Sequence, residues 1–105
     1  PGRVLRFPES ADLKVPQMGW NRARWVGRAR TGAVFPSELD GRHFYFVHSY
    51  FPAPASAADI AATTDYGLSF ASMLARDNLV ATQFHPEKSG AAGLRLLENF
   101  CRWRP

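Results

Sequence analysis

The stretch LVATQFHPEKS, residues 79–89, decides how the rest of the chain is read. It predicts a strand over 79–84, a sharp exit through His85, Pro86, Glu87 and Lys88, and a closing helix that begins near Ser89. Pro86 fixes its own φ and pushes the preceding His85 out of the helical region into an extended conformation. If Glu87 continues that extension, the two-residue side-chain period puts His85 and Glu87 on one side of the chain. A carboxylate beside an imidazole accepts its N–H, fixes the tautomer and stabilises the imidazolium, which is the base-plus-orienter half of a catalytic triad. A strand end running into a helix is also where open α/β sheets place their ligands. The competing reading is a plain strand-to-helix turn, with Glu87 set near the positive end of the helix.

Beyond the exit, residues 89–104 carry a helical pattern. At about 100° per residue, Leu94, Leu96, Leu97, Phe100, Cys101 and Trp103 fall within one half-turn, and Arg95, Glu98, Asn99 and Arg102 in the other. This predicts an amphipathic cover helix with Cys101 buried as a structural thiol. A nucleophilic cysteine needs an exposed, strained turn with oxyanion donors nearby, and the surroundings of Cys101 offer neither.

Working back toward the start, residues 68–76 and 79–84 flank Asp77-Asn78, a two-residue hairpin signal. Asp65-Tyr66-Gly67 turns the chain after the alternating segment 59–64, and residues 52–58 read as a loop rich in Pro and Ala. Residues 43–51 form the clearest strand of the first half, with aromatics on both faces, as a largely buried strand requires. His48 shares a face there with Phe44, Phe46 and Tyr50 and reads as a hydrogen-bonded structural histidine. Asp40-Gly41 is a turn signal, 35–39 one helical turn, and 27–33 a loop. In residues 21–26, Ala23 and Trp25 occupy one face and arginines the other. Met18-Gly19-Trp20-Asn21 is a compact cluster in which Gly19 permits unusual backbone angles, while Trp20 suits a core by default and an interface otherwise. Residues 3–7 read as a short strand entering a turn at 8–10. Most of the chain is therefore expected to be antiparallel β with one substantial helix at the end.

At 105 residues, with 46% hydrophobic and 13% aromatic content, this is one folded domain at most, with a core of modest size. The net charge of +4 raises the question of an acidic partner, and Arg22, Arg24, Arg28 and Arg30 fall close together. A solvated edge explains such a cluster more simply than nucleic acid, because no recognition motif accompanies it. No apolar run approaches membrane-spanning length, and no charged-then-apolar signal opens the chain. A single cysteine excludes an internal disulfide framework and fits a reducing compartment. No metal site is expected, since three histidines and one cysteine at these spacings match no ligand pattern. The opening Pro1-Gly2-Arg3 reads like the middle of a longer protein.

The segment Phe84-His85-Pro86-Glu87-Lys88-Ser89 resembles the triad segment of class I glutamine amidotransferases. Four further segments narrow the likeness to the glutaminase subunits of imidazole glycerol phosphate synthase. They are Lys14-Val15-Pro16 with Met18-Gly19-Trp20-Asn21; Tyr45-Phe46-Val47-His48-Ser49-Tyr50; Thr64-Asp65-Tyr66-Gly67; and Ala92-Gly93-Leu94-Arg95-Leu96-Leu97-Glu98-Asn99-Phe100. The resemblance implies an α/β fold in which residues 1–105 are the C-terminal part of a flavodoxin-like domain. It implies His85 as the base and Glu87 as its orienter, Ser49 and Tyr50 as the segment that binds glutamine, and Trp20, Tyr45 and Lys88 as positions facing a β/α-barrel cyclase subunit. No cofactor is implied. Gln17 stands where the family usually has a histidine, a departure expected to alter contacts near the interface without touching the triad. The family's nucleophile, a cysteine on a glycine-flanked elbow, belongs to the N-terminal half and has no counterpart here, so the chain alone is expected to be inactive. The alternatives are a pseudo-glutaminase scaffold that keeps His85 and Glu87 without the cysteine, another class I amidotransferase, or a nucleic-acid module built on the arginines.

Overall fold

The chain forms three small antiparallel sheets closed by a C-terminal helix, in a computed structural model that describes residues 2–8, 15–26, 37–76 and 79–103. Strand β1 (Gly2–Arg6) pairs with β5 (Tyr50–Pro54), and β2 (Gln17–Arg22) with β4 (His43–His48). The third sheet runs in the order β3 (Arg24–Trp25), β6 (Ile60–Asp65), β7 (Ser69–Arg76), β8 (Leu79–Thr82). Every pairing among the described residues is antiparallel, as the alternating segments predict. Helix α1 (Gly90–Arg102) ends the described fold.

Phenylalanines explain why these strands collapse together. Phe7, Phe44, Phe46, Phe51, Phe70 and Phe84 are all buried, and each contributes about 1.5–3 kcal/mol by leaving water. Phe44 and Phe84 stack with ring centres 4.3 Å apart, which pins the end of the β8 segment to β4.

Several expectations need correction. The strand expected over 43–51 breaks at Ser49, and its second half continues as β5 to Pro54, into residues expected to be loop. Pairing with β1 makes the difference: Pro52 lies opposite Val4 in a two-stranded ribbon, where a missing N–H is tolerated. The break also takes Tyr50 off the face of Phe44 and Phe46, leaving it exposed. In β6 a register irregularity buries Ala61 and Ala62 side by side, so strict alternation fails there. Arg76 pairs with Leu79 across the β7–β8 hairpin, while its turn residues 77–78 lie outside the described residues, as do the expected turn at 9–10 and loop at 27–33.

Helix α1 is amphipathic, but its buried face differs from the one expected. Ala92, Gly93 and Leu96 are buried, whereas Leu94 is 59% exposed and Leu97, Phe100 and Cys101 are exposed as well. The expected burial of Cys101 is therefore overturned. The helix packs along a small-residue seam, because only that face can approach the preceding turn closely, and the large apolar side chains are left outside.

Candidate functional site

His85 is held where the β8 segment meets the helix. Its backbone is extended, with φ −102° and ψ 97°, as Pro86 requires of the residue before it. Residues Pro86–Lys88 then form a single 3₁₀ turn before Ser89 and α1. Within that turn His85 Nδ1 lies 3.0 Å from Glu87 Oε2. The pair expected from the sequence thus exists, but by a different route: Glu87 does not continue the extension, and the tight turn folds its carboxylate back onto the ring.

The electrostatics suit an orienting carboxylate. The backbone N–H of Glu87 donates to its own carboxylate, and this contact, with smaller help from His85 and Lys88, holds the carboxyl below its ordinary value against an opposing desolvation cost. An ionised Glu87 accepts the Nδ1 proton, which leaves Nε2 as the basic nitrogen of the neutral ring. Nε2 has no hydrogen-bond partner among the described residues, and the His85 side chain is 39% exposed. This is an imidazole in a fixed tautomer with an open lone pair.

The turn is fastened to β4 by backbone groups. His85 N–H donates to the Tyr45 carbonyl at 2.9 Å. Tyr45 N–H donates to Ser89 Oγ at 2.8 Å, and the Ser89 hydroxyl donates to the His85 carbonyl at 2.6 Å. Sequence reading assigned Ser89 only a helix start, yet it makes no side-chain cap and spends both hydrogen-bonding capacities on this link. A hydroxyl residue directly after the exit was the available signal. Gly93 completes the arrangement, for a Cβ there would lie 2.0 Å from the Pro86 carbonyl oxygen.

On the outer face of the β2–β4 pair, Trp20 and Tyr45 are register partners with rings 5.9 Å apart at 73°. Trp20 is 55% exposed, so the default of core packing fails. Gly19, with φ +131°, takes the unusual backbone angle expected of it. Lys88 is exposed on the turn. Structure therefore brings Trp20 to Tyr45, and the Tyr45 backbone to His85.

Ser49 and Tyr50 sit at the β4–β5 break, where the Ser49 carbonyl accepts from Phe7 N–H at 2.9 Å. His48 anchors that break. Its Nδ1 lies 2.9 Å from the Tyr50 carbonyl and its Nε2 2.6 Å from the Gln17 side-chain oxygen, with Phe7, Phe46 and Phe70 around the ring. The expected structural histidine is present. Burial is the main reason its ring titrates below the ordinary imidazole value, opposed by the Tyr50 contact and reinforced by His85. Gln17 is only 3% exposed and lies on the face opposite Trp20, where it contacts the His48 ring. A carbonyl only accepts, so Nδ1 carries a proton. Rotating the Gln17 amide then lets it accept from a charged ring or donate to a neutral one.

Two shallow apolar pockets flank these features. One of about 320 Å³ opens between β5 and the β7–β8 pair, and one of about 170 Å³ between β8, Pro86 and Leu96, Leu97 and Phe100 of α1. Among the described residues no three His, Cys, Asp or Glu side chains gather into a possible metal-ligand set, and no helix is long and apolar enough to cross a membrane. Arg22 and Arg24 are exposed, while Arg28 and Arg30 lie outside the described residues.

No family model matches the chain. Among curated proteins it is similar to the imidazole glycerol phosphate synthase subunit HisH of Methylococcus capsulatus, with 54% identity over 111 residues, covering 99% of this chain and 50% of the relative. The HisH subunit of Chloroflexus aurantiacus is 54% identical over 103 residues, covering 98% and 48%. That of Nitrosococcus oceani is 53% identical over 104 residues, covering 98% and 48%. The chain spans about half the length of the curated relatives it matches.

Proposed function

Over the stretch that it spans the chain belongs to the HisH subunit family of imidazole glycerol phosphate synthase, and we propose that it supplies the base half of a glutamine amidotransferase site. The observation that carries this reading is the His85–Glu87 contact at 3.0 Å on a tight turn, with Nε2 left open. In the full-length subunit, His85 Nε2 takes the proton of a cysteine thiol located upstream of residue 1. The thiolate attacks the side-chain amide carbon of glutamine, and His85 returns the proton to the departing nitrogen, releasing ammonia. Water then hydrolyses the thioester to glutamate and regenerates the thiol. Glu87 holds the ring and stabilises its charged form throughout.

Ser49 and Tyr50 bind the glutamine. Trp20, Tyr45 and Lys88 face a β/α-barrel cyclase that consumes the ammonia to make imidazole glycerol phosphate in histidine biosynthesis, in a cytoplasmic heterodimer. An exposed Trp with a neighbouring Tyr is the kind of surface that seats a partner, since both rings offer large area at low entropy cost. Residues 1–105 by themselves do not hydrolyse glutamine, because Cys101, the single cysteine, sits in regular helix rather than on a strained elbow.

The test uses the full-length subunit with its cyclase. His85→Ala is expected to lower glutamine-dependent synthesis by about 10³-fold or more while synthesis from added ammonia stays within about twofold. Equal loss of both activities sinks the role of His85. A residue other than cysteine at the upstream elbow turns the chain into a scaffold.

A further inference from the structure

We propose that Ser89 is a positioning residue for His85: its buried hydroxyl locks the backbone of the base to the backbone of Tyr45. The proposal rests on the reading of His85 as the base and names what holds it.

Three hydrogen bonds close a ring through residues 45, 85 and 89. His85 N–H donates to the Tyr45 carbonyl at 2.9 Å, Tyr45 N–H donates to Ser89 Oγ at 2.8 Å, and Ser89 Oγ–H donates to the His85 carbonyl at 2.6 Å. The first of these resembles one rung of a strand ladder. Because the chain turns away at Pro86, no further rung forms there, and the serine hydroxyl acts in its place by accepting from one strand and donating to the other segment. Ser89 is 2% exposed, so water does not substitute for it.

The ring fixes both backbone polar groups of His85, and with them the position from which its side chain leaves. The contact with Glu87 sets the tautomer and rotation of the imidazole, but Glu87 is itself exposed on the same short turn and moves with it. The link to β4 refers one side of the turn to the sheet. The opposite side of the turn is set by α1, where Gly93 N–H donates to the Ser89 carbonyl at 3.3 Å and the missing Cβ of Gly93 lets the helix sit directly on Pro86. Ser89 thus occupies the point where strand, turn and helix meet.

The proposal is tested in the full-length subunit with its cyclase, using Ser89→Ala. Loss of the hydroxyl leaves the turn free to shift by fractions of an ångström, so kcat for glutamine is expected to fall about 10- to 100-fold. KM for glutamine and ammonia-dependent synthesis are expected to stay within about threefold, because neither substrate is bound by Ser89. Ser89→Cys, whose thiol fills nearly the same space and hydrogen-bonds weakly, covers the case in which the alanine variant does not assemble; it is expected to show the same fall in kcat. A wild-type kcat in an assembled variant overturns the assignment, as does a parallel loss of the glutamine and ammonia reactions. His85→Ala, run alongside, separates the two ideas. If it retains glutamine-dependent synthesis, the reading of the base fails; if it is inactive while Ser89→Ala is normal, only the positioning role fails.

Discussion

His85 owes its extended backbone to Pro86, and that much follows from ring sterics at the residue itself. Its meeting with Glu87 does not, since an extended Glu87 and a turned one both allow a contact and only the fold selects the turn. His48 shows the same division. Its hydrogen-bonded, structural character was legible from a face shared with Phe44 and Phe46, whereas its partner Gln17 lies 31 positions away and is brought in by strand register. The buried ring has a consequence for stability. Folded His48 binds its proton at lower pH than the unfolded chain does, because burial disfavours the charge. Below the ordinary imidazole value of 6.5 the unfolded state therefore holds more protons, and stability falls as pH drops. Chemical denaturation of the full-length subunit at about pH 7.5 and about pH 5.5 is expected to show this loss, with a smaller difference in His48→Gln. An equal slope in the variant assigns the loss to other groups. Glu87, whose carboxyl is lowered, acts in the same sense, its contribution lost as pH drops, but only below its ordinary value of 4.5, outside that window.

Among the elements, α1 departs furthest from its reading. A helical wheel collects the large apolar residues and assumes that the most apolar arc is buried. Here the closest approach is made at Gly93, and the seam of Ala92, Gly93 and Leu96 faces the fold in its place. Gly93→Ala tests this packing. Its Cβ would meet the Pro86 carbonyl oxygen at 2.0 Å and Ser89 Cβ at 2.7 Å, both close to rigid backbone. The variant is expected to lose stability at or above the upper end of about 1–3 kcal/mol for overpacking, measured by equilibrium denaturation of the full-length subunit. A change under about 0.5 kcal/mol indicates that helix and turn do not pack this way. Strands were easier to read than the helix face, because a period of two survives in β2 and β4 whichever neighbour they acquire. The breaks at Ser49 and in β6 were not legible, as both come from the register of a partner strand.

The molecule as a whole is a slab of 43 × 31 × 17 Å. Its surface of 6,490 Å² exceeds the roughly 5,900 Å² usual for this mass, and Val4, Leu79, Leu94, Leu97 and Phe100 are among the side chains that make up the excess. The chain of 105 residues made alone is therefore expected to bind a hydrophobic dye and to self-associate in sedimentation, while the full-length subunit does neither. A monodisperse chain without dye binding shows that these side chains find cover within it. By itself, the sequence determined the antiparallel strands, the terminal helix and the extended His85, because these depend on side-chain period and proline sterics. Tertiary structure alone decided which helix face is buried, where Trp20 and Cys101 lie relative to solvent, and that Ser89 ties the turn to Tyr45. Those outcomes depend on close approach between segments far apart in the chain, which no local pattern records.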